Sequence, residues 1–211
     1  MGDDTDKPTN PSQTAPAAPV LEPRLMQTPD PGNASRPHAS ARGQRVPLDR
    51  GDLNMRIAVD GTWFYRGSPI GRLPLVKLFA SVLRREADGG YWLVTPAERG
   101  RIAVDDAPFV AVELTVEGEG REQRLIFRTN LDEIVTAGPD HPLRVATAED
   151  GEPRPYILVR SGGAAPLEAL IVRPVFYELV DRAHEEEIDG AVRFGVWSGG
   201  RFFDLGDPGE E

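Results

Sequence analysis

Val110-Ala111-Val112-Glu113-Leu114-Thr115-Val116-Glu117-Gly118-Glu119-Gly120 is the stretch that decides the fold. Val110, Val112, Leu114 and Val116 fall at every second position, so they share one face of a β-strand. The paired glycines then turn the chain, and Gln123 to Thr129 returns beside it. Outward from this hairpin the same reading gives further short strands at Tyr91–Thr95, Glu133–Thr136, Leu143–Ala146 and Tyr156–Val159. The middle of the chain is an antiparallel sheet.

Toward the N-terminus the periodicity changes. Val76, Phe79, Val82 and Leu83 recur at three- and four-residue steps, which predicts a helix from Leu73 or Pro74 to Glu86. Pro74 fits only its first turn, and Asp88-Gly89-Gly90 stops it. Before the helix, Arg56–Val59 and Thr62–Arg66 flank Asp60-Gly61, the signature of a hairpin with a type I′ turn. Gly67-Ser68-Pro69-Ile70-Gly71 connects that hairpin to the helix. Toward the C-terminus a second helical segment is expected over Leu167–His184, kinked or restarted at Pro174. A terminal hairpin, Val192–Ser198 with Arg201–Leu205, turns at Gly199-Gly200. A weak repeat links the halves: Asp60-Gly61-Thr62-Trp63-Phe64 and Gly199-Gly200-Arg201-Phe202-Phe203 each end at a glycine at the same offset. Asp-Gly also follows both helices, at Asp88-Gly89 and Asp189-Gly190. The expected class is α+β: two small lobes of mainly antiparallel sheet, each with a packed helix, related by an internal repeat. The lobes are set at residues 53–130 and 131–211.

Composition bounds the rest. All aromatic residues lie from Trp63 onward, while nine of the 20 prolines precede residue 50. Residues 1–52 are therefore expected to be a disordered Pro/Ala-rich tail, with too little apolar surface to offset ordering entropy. The net charge of −10 sits entirely after residue 50, and its sign disfavours phosphate backbones and anionic lipid. No nucleic-acid or membrane partner is expected. With no cysteine there is no disulfide, thiolate or sulfur-bound metal. The opening Met1-Gly2-Asp3-Asp4 lacks the basic and apolar regions of a secretory signal. The expectation is a cytoplasmic protein.

Motifs for chemistry are sparse. Gly118-x-Gly120 precedes a strand rather than a helix, so it cannot cradle a pyrophosphate. There is no phosphate-binding GxxxxGK[ST] loop, and Ser68 is not in G-x-S-x-G order. His184 lacks a second histidine four residues on, and reads as a solvated helix end. Asp140-His141-Pro142 and Asp105-Asp106-Ala107-Pro108 offer acid–base groups, but both also have turn composition. Phe127-Arg128-Thr129-Asn130 ends a strand where donors converge. Arg72, Arg99, Arg101, Arg144, Arg160 and Arg173 are spread over an acidic background and suit either ion pairs or bidentate anion recognition.

In order along the chain, Asp60-Gly61-Thr62-Trp63-Phe64-Tyr65, Leu93-Val94-Thr95-Pro96, Asp105-Asp106-Ala107-Pro108-Phe109, Phe127-Arg128-Thr129-Asn130, Asp140-His141-Pro142-Leu143, Arg154-Pro155-Tyr156, Arg173-Pro174-Val175-Phe176-Tyr177 and Val196-Trp197-Ser198-Gly199-Gly200 resemble the uncharacterised bacterial domain-of-unknown-function family 1285. The resemblance spans residues 53–206. It implies a two-lobed α+β architecture with related motifs in both halves and an interlobe cleft for a nucleotide-like or other small anionic ligand. It implies no established activity and no cofactor. The expected function is binding of such a ligand with a signalling output. The expected ligand contacts are Arg72 at a helix start, Thr95 and Glu98 at a strand end, Asn130 and His141 on the sheet, and Arg160 and Tyr177 from the second lobe. Two rival readings remain: a hydrolase using Asp105, Asp106 or His141, and an interaction module docking through the Pro-rich tail.

Overall fold

The computed structural model describes residues 46–149 and 151–206. The first lobe is a six-stranded sheet: β1 (Leu48–Ile57), β2 (Trp63–Tyr65), β3 (Ser68–Pro69), β4 (Leu83–Arg85), β5 (Tyr91–Val94) and β6 (Glu98–Val104), with α1 (Leu73–Ser81) between β3 and β4. Its spatial order is β3-β2-β1-β6-β5-β4. Only β1 and β6 run parallel among these neighbours. Met55 and Ile57 point from β1 into the core, while Asn54 and Arg56 face solvent. Two irregularities bend the first half of β1, where the carboxylates of Asp49 and Asp52 accept the backbone N–H of Gly51 and Asn54. The expected tail therefore ends earlier than residue 52, because Leu48–Asp52 pair with β6. The rest of that expectation, residues 1–45, lies outside the described residues.

The second lobe contains another six-stranded sheet: β7 (Phe109–Glu117), β8 (Arg124–Thr129), β9 (Ile134–Thr136), β10 (Leu143–Thr147), β11 (Pro153–Ser161) and β12 (Pro166–Ile171). Its order is β10-β11-β12-β7-β8-β9, with β12 parallel to β7. Next come α2 (Arg173–Val180) and a three-stranded sheet of β13 (His184–Ile188), β14 (Ala191–Ser198) and β15 (Arg201–Asp204). The chain passes from the first sheet to the second at Asp105–Pro108. The expected lobe limit at 130/131 falls inside the second sheet, in the turn from β8 to β9.

Three local expectations change. First, α1 stops at Ser81, because Leu83 is fully buried and pairs with Leu93 in the sheet. Second, the helix expected over Leu167–His184 is three elements. Leu167, Ala169 and Ile171 are buried at alternate positions of β12, Pro174 lies in the first turn of α2, and His184 opens β13. Third, only Gly61 of the Asp60-Gly61 pair has positive φ, +80°. This loop is a turn over Ala58–Gly61 closed by Gly61 N–H on the Ala58 carbonyl at 2.9 Å, with Ala58 N–H donating to the Thr62 carbonyl at 2.9 Å beyond it, one left-handed residue rather than two. Two consecutive left-handed residues occur instead at Arg66-Gly67, Asp189-Gly190 and Gly199-Gly200, where two residues join strands paired on either side.

The repeat is visible in topology. Each helix is followed by a three-stranded meander, β4-β5-β6 after α1 and β13-β14-β15 after α2. Asp88-Gly89 and Asp189-Gly190 occupy matching turns of the two meanders. Asp60-Gly61 and Gly199-Gly200 do not match, since one precedes its helix and the other follows it.

Candidate functional site

The two large sheets meet along a seam closed mostly by backbone and amide groups. Arg85 bridges to Ala165: its N–H donates to the Gly162 carbonyl at 2.6 Å, and its carbonyl accepts from Ala165 at 3.0 Å. Arg160 donates to the Ala80 carbonyl at 2.6 Å and pairs with Glu133 at 3.1 Å. Asn130 accepts from Val110 N–H at 3.1 Å and donates to the Gly61 carbonyl at 3.3 Å. Lys77 of α1 meets Asp132 at 2.7 Å.

Beside this seam lies a cavity of about 490 Å³. The β1–β2 loop supplies Val59 and Asp60; the opposite wall comes from β7, β11, β12 and the start of α2. Val110, Leu170 and Phe176 make that wall mainly apolar, and Arg154 and Arg173 add guanidinium groups. Arg154 donates through one terminal nitrogen to Asp106 at 2.7 Å. The other Asp106 oxygen accepts from the Tyr156 hydroxyl at 2.7 Å. Arg173 pairs with Glu152, two residues from Arg154. On the facing loop, the Asp60 carboxylate accepts Thr62 N–H at 2.9 Å, and this bond holds its carboxyl below the usual range. The cavity thus has apolar surface between an acid on one lobe and arginines on the other.

Burial, then the bond to Asp106, pushes the Tyr156 phenol up to about 12. A tyrosine whose proton is held more tightly when folded stabilises the protein fully below the unfolded value near 10. That contribution is lost as pH rises toward 12. Equilibrium unfolding followed against pH is expected to show a decline across pH 10–12 that is shallower in Tyr156→Phe. An identical slope in both proteins would place the effect elsewhere.

The structure disperses the seven residues expected as ligand contacts. Arg72 is exposed at the start of α1, and Tyr177 is exposed on α2. Thr95 closes the β5–β6 turn through its hydroxyl and Glu98 pairs with Arg50; both line a separate cavity of about 260 Å³ floored by Leu53 and Phe79. His141 bonds the Leu158 carbonyl at 2.9 Å. Asn130 and Arg160 sit in the seam itself. None of the seven lines the cavity beside the seam. Arg154 was not among the expected contacts, although Arg154-Pro155 and Arg173-Pro174 share a local signal: an arginine followed by a proline at the start of an element, β11 in one case and α2 in the other. Among the described residues no group of three or more His, Asp or Glu is placed to hold a metal ion, and no helix is long and apolar enough to cross a membrane.

Comparison with family models matches residues 44–107 to "Domain of unknown function (DUF1285), N-terminal domain" and residues 108–205 to "Protein of unknown function (DUF1285), C-terminal domain". The chain belongs to the DUF1285 family. The junction of the two family models coincides with the passage between the large sheets. A crystal structure of a DUF1285 family protein from Silicibacter pomeroyi DSS-3 is 50% identical, with a TM-score of 0.68 over 76% of this chain and 83% of that one. A DUF1285 family protein from Shewanella baltica OS155 is 25% identical, covering 60% of this chain and 89% of that one, with a TM-score of 0.45. No curated protein matches the chain.

Proposed function

We propose that this DUF1285 protein binds a small organic molecule in the interlobe cavity, with an anionic group of that molecule on Arg154 and a regulatory output. One observation carries the reading: both lobes wall a space of about 490 Å³ that is mainly apolar and holds two arginines. Pockets for small ligands have this size and make-up, a largely apolar lining with a few placed polar groups. Arg154 uses one terminal nitrogen on Asp106, and a guanidinium carries five donors in a planar fork. The acid–base candidates support binding over hydrolysis, since each has its own structural partner. Asp105 pairs with Arg56, Asp106 holds Arg154 and Tyr156, and His141 holds a carbonyl. The alternative built on the tail concerns residues outside the described ones.

Thermal unfolding and calorimetry with panels of carboxylates, phosphates and nucleotides test the proposal. A ligand at one hundred times its Kd adds roughly 2.7 kcal/mol to stability, a rise of several degrees in Tm for a domain of this size. Val112 lines the cavity and is partly exposed, so Val112→Phe is expected to fill the space, abolish that rise and leave the unliganded Tm within a few degrees. The proposal fails if no compound shifts Tm at millimolar concentration, or if Val112→Phe binds as wild type does.

A further inference from the structure

We infer that the cavity takes an apolar zwitterion of the amino-acid kind, its carboxylate on Arg154 and its ammonium on Asp60. This rests on the reading of the cavity as a ligand site and adds the chemical class. Four lining side chains carry charge, Asp60 and Glu152 against Arg154 and Arg173, so the walls sum to zero. Glu152 and Arg173 neutralise each other. Arg154 has Asp106 behind it and donors to spare. Asp60 is different. It takes the Thr62 amide and lies in the field of Arg56, but Arg56 is paired with Asp105 and among the described residues no cation stands within ion-pair distance of Asp60. A fixed negative charge on one wall and a guanidinium on the other, separated by valine, leucine and phenylalanine side chains, match a molecule with both charges on an apolar skeleton.

The lining discriminates against the neighbouring classes. Its single aromatic ring is Phe176, and it contains no Ser, Thr, Asn, Gln, His, Tyr or Trp side chain, so a base and sugar would find one stacking surface and no neutral side-chain hydrogen bonds. A nucleotide would also bring its phosphate charges toward Asp60 and Glu152. A simple carboxylic acid satisfies Arg154 but brings no partner to the exposed Asp60 carboxylate, whereas an ammonium adds a charge-assisted hydrogen bond there.

Calorimetry on the full chain with leucine and phenylalanine, their des-amino analogues 4-methylpentanoate and 3-phenylpropionate, the amines lacking the carboxylate, and adenosine monophosphate tests this. The zwitterions are expected to bind about tenfold or more tightly than either single-charge analogue, one well-formed charged contact being worth about that factor. Asp60→Asn keeps an acceptor for the Thr62 amide and removes the charge. In that variant leucine is expected to weaken to the level of 4-methylpentanoate, whose own affinity holds or improves. Equal binding of acid and zwitterion by wild type overturns the assignment to Asp60 and leaves the cavity reading standing. Saturation by the nucleotide alone overturns the class. Saturation by nothing removes both, and Val112→Phe separates binding in the cavity from binding elsewhere.

Discussion

Gly61→Ala is expected to lower the free energy of unfolding by about 3 kcal/mol, and Gly67→Ala by only about 1 kcal/mol, although both glycines have φ of +80°. The backbone cost of a left-handed alanine is common to the two sites, on the order of 1 kcal/mol. Their surroundings differ. At Gly67 a new Cβ has nothing within 4 Å. At Gly61 it would stand 2.4 Å from Asn130 Nδ2 and 2.9 Å from Val110 Cγ2. Asn130 must then swing away, which removes its bond to the Gly61 carbonyl and the acceptor of the half-buried Val110 amide. Leaving such a group unpaired costs about 1–3 kcal/mol. For a domain of this size the difference appears as a Tm roughly 6–12 °C below wild type for Gly61→Ala. Because Val110 also lines the interlobe cavity, ligand affinity should fall with it. Equal losses at the two glycines would mean that the Asn130 contact contributes nothing to joining the lobes.

That contact also marks where the sequence runs out as a guide. The β7–β8 hairpin was legible because it is local: a strand, a double-glycine turn and a return strand all lie within about 20 residues. The single apolar face expected for Val110, Val112, Leu114 and Val116 does not hold, because a bulge between Ala111 and Glu113 puts Ala111 on the core face with Leu114 and Val116 and turns Val110 and Val112 to the other side. The stretch Leu167-Glu168-Ala169-Leu170-Ile171 was not legible, since its apolar spacing suits a strand as well as a helix. What decides it is pairing on both sides, with β11 just before it and with β7 more than 50 residues earlier, and the second of these lies outside any local window. Pro174 was open to two readings, a kink within a helix or a restart, and the structure has the restart, with α2 beginning at Arg173; what the preceding residues pair with decides between them. The site shows the same limit more sharply. Asp60 belongs to a hairpin loop by every local sign, and Arg154 to a strand, and only the docking of one sheet on the other places them around one cavity. Asn130 and Arg160 stood out as polar residues at element ends. The structure puts both where elements end against each other, with their donors on backbone carbonyls across the seam.

One buried hydroxyl ties the three-stranded sheet to two backbone groups of its neighbour, and Ser198→Ala is expected to cost about 3 kcal/mol. Ser198 is fully buried at the end of β14. Its Oγ accepts Leu125 N–H at 3.0 Å and its O–H donates to the Ala137 carbonyl at 2.7 Å. One small side chain thus completes the hydrogen bonding of two backbone groups in the adjoining sheet. Alanine keeps the volume nearly unchanged and strands both groups, each at about 1–3 kcal/mol. Neighbouring bonds soften the loss, because Gln123 still donates to the Trp197 carbonyl at 2.8 Å and accepts Gly199 N–H at 2.9 Å. The sheet should therefore stay docked but open more often. Against a total stability of roughly 5–15 kcal/mol the variant still folds, so urea unfolding can measure it as a lower midpoint at constant slope. Hydrogen exchange gives the second readout: the Leu125 amide should lose protection in proportion, while amides of the first sheet, such as Leu93, fall only with global stability. A midpoint within 0.5 kcal/mol of wild type, the usual range for substitutions that touch nothing, would show that neither backbone group depends on Ser198.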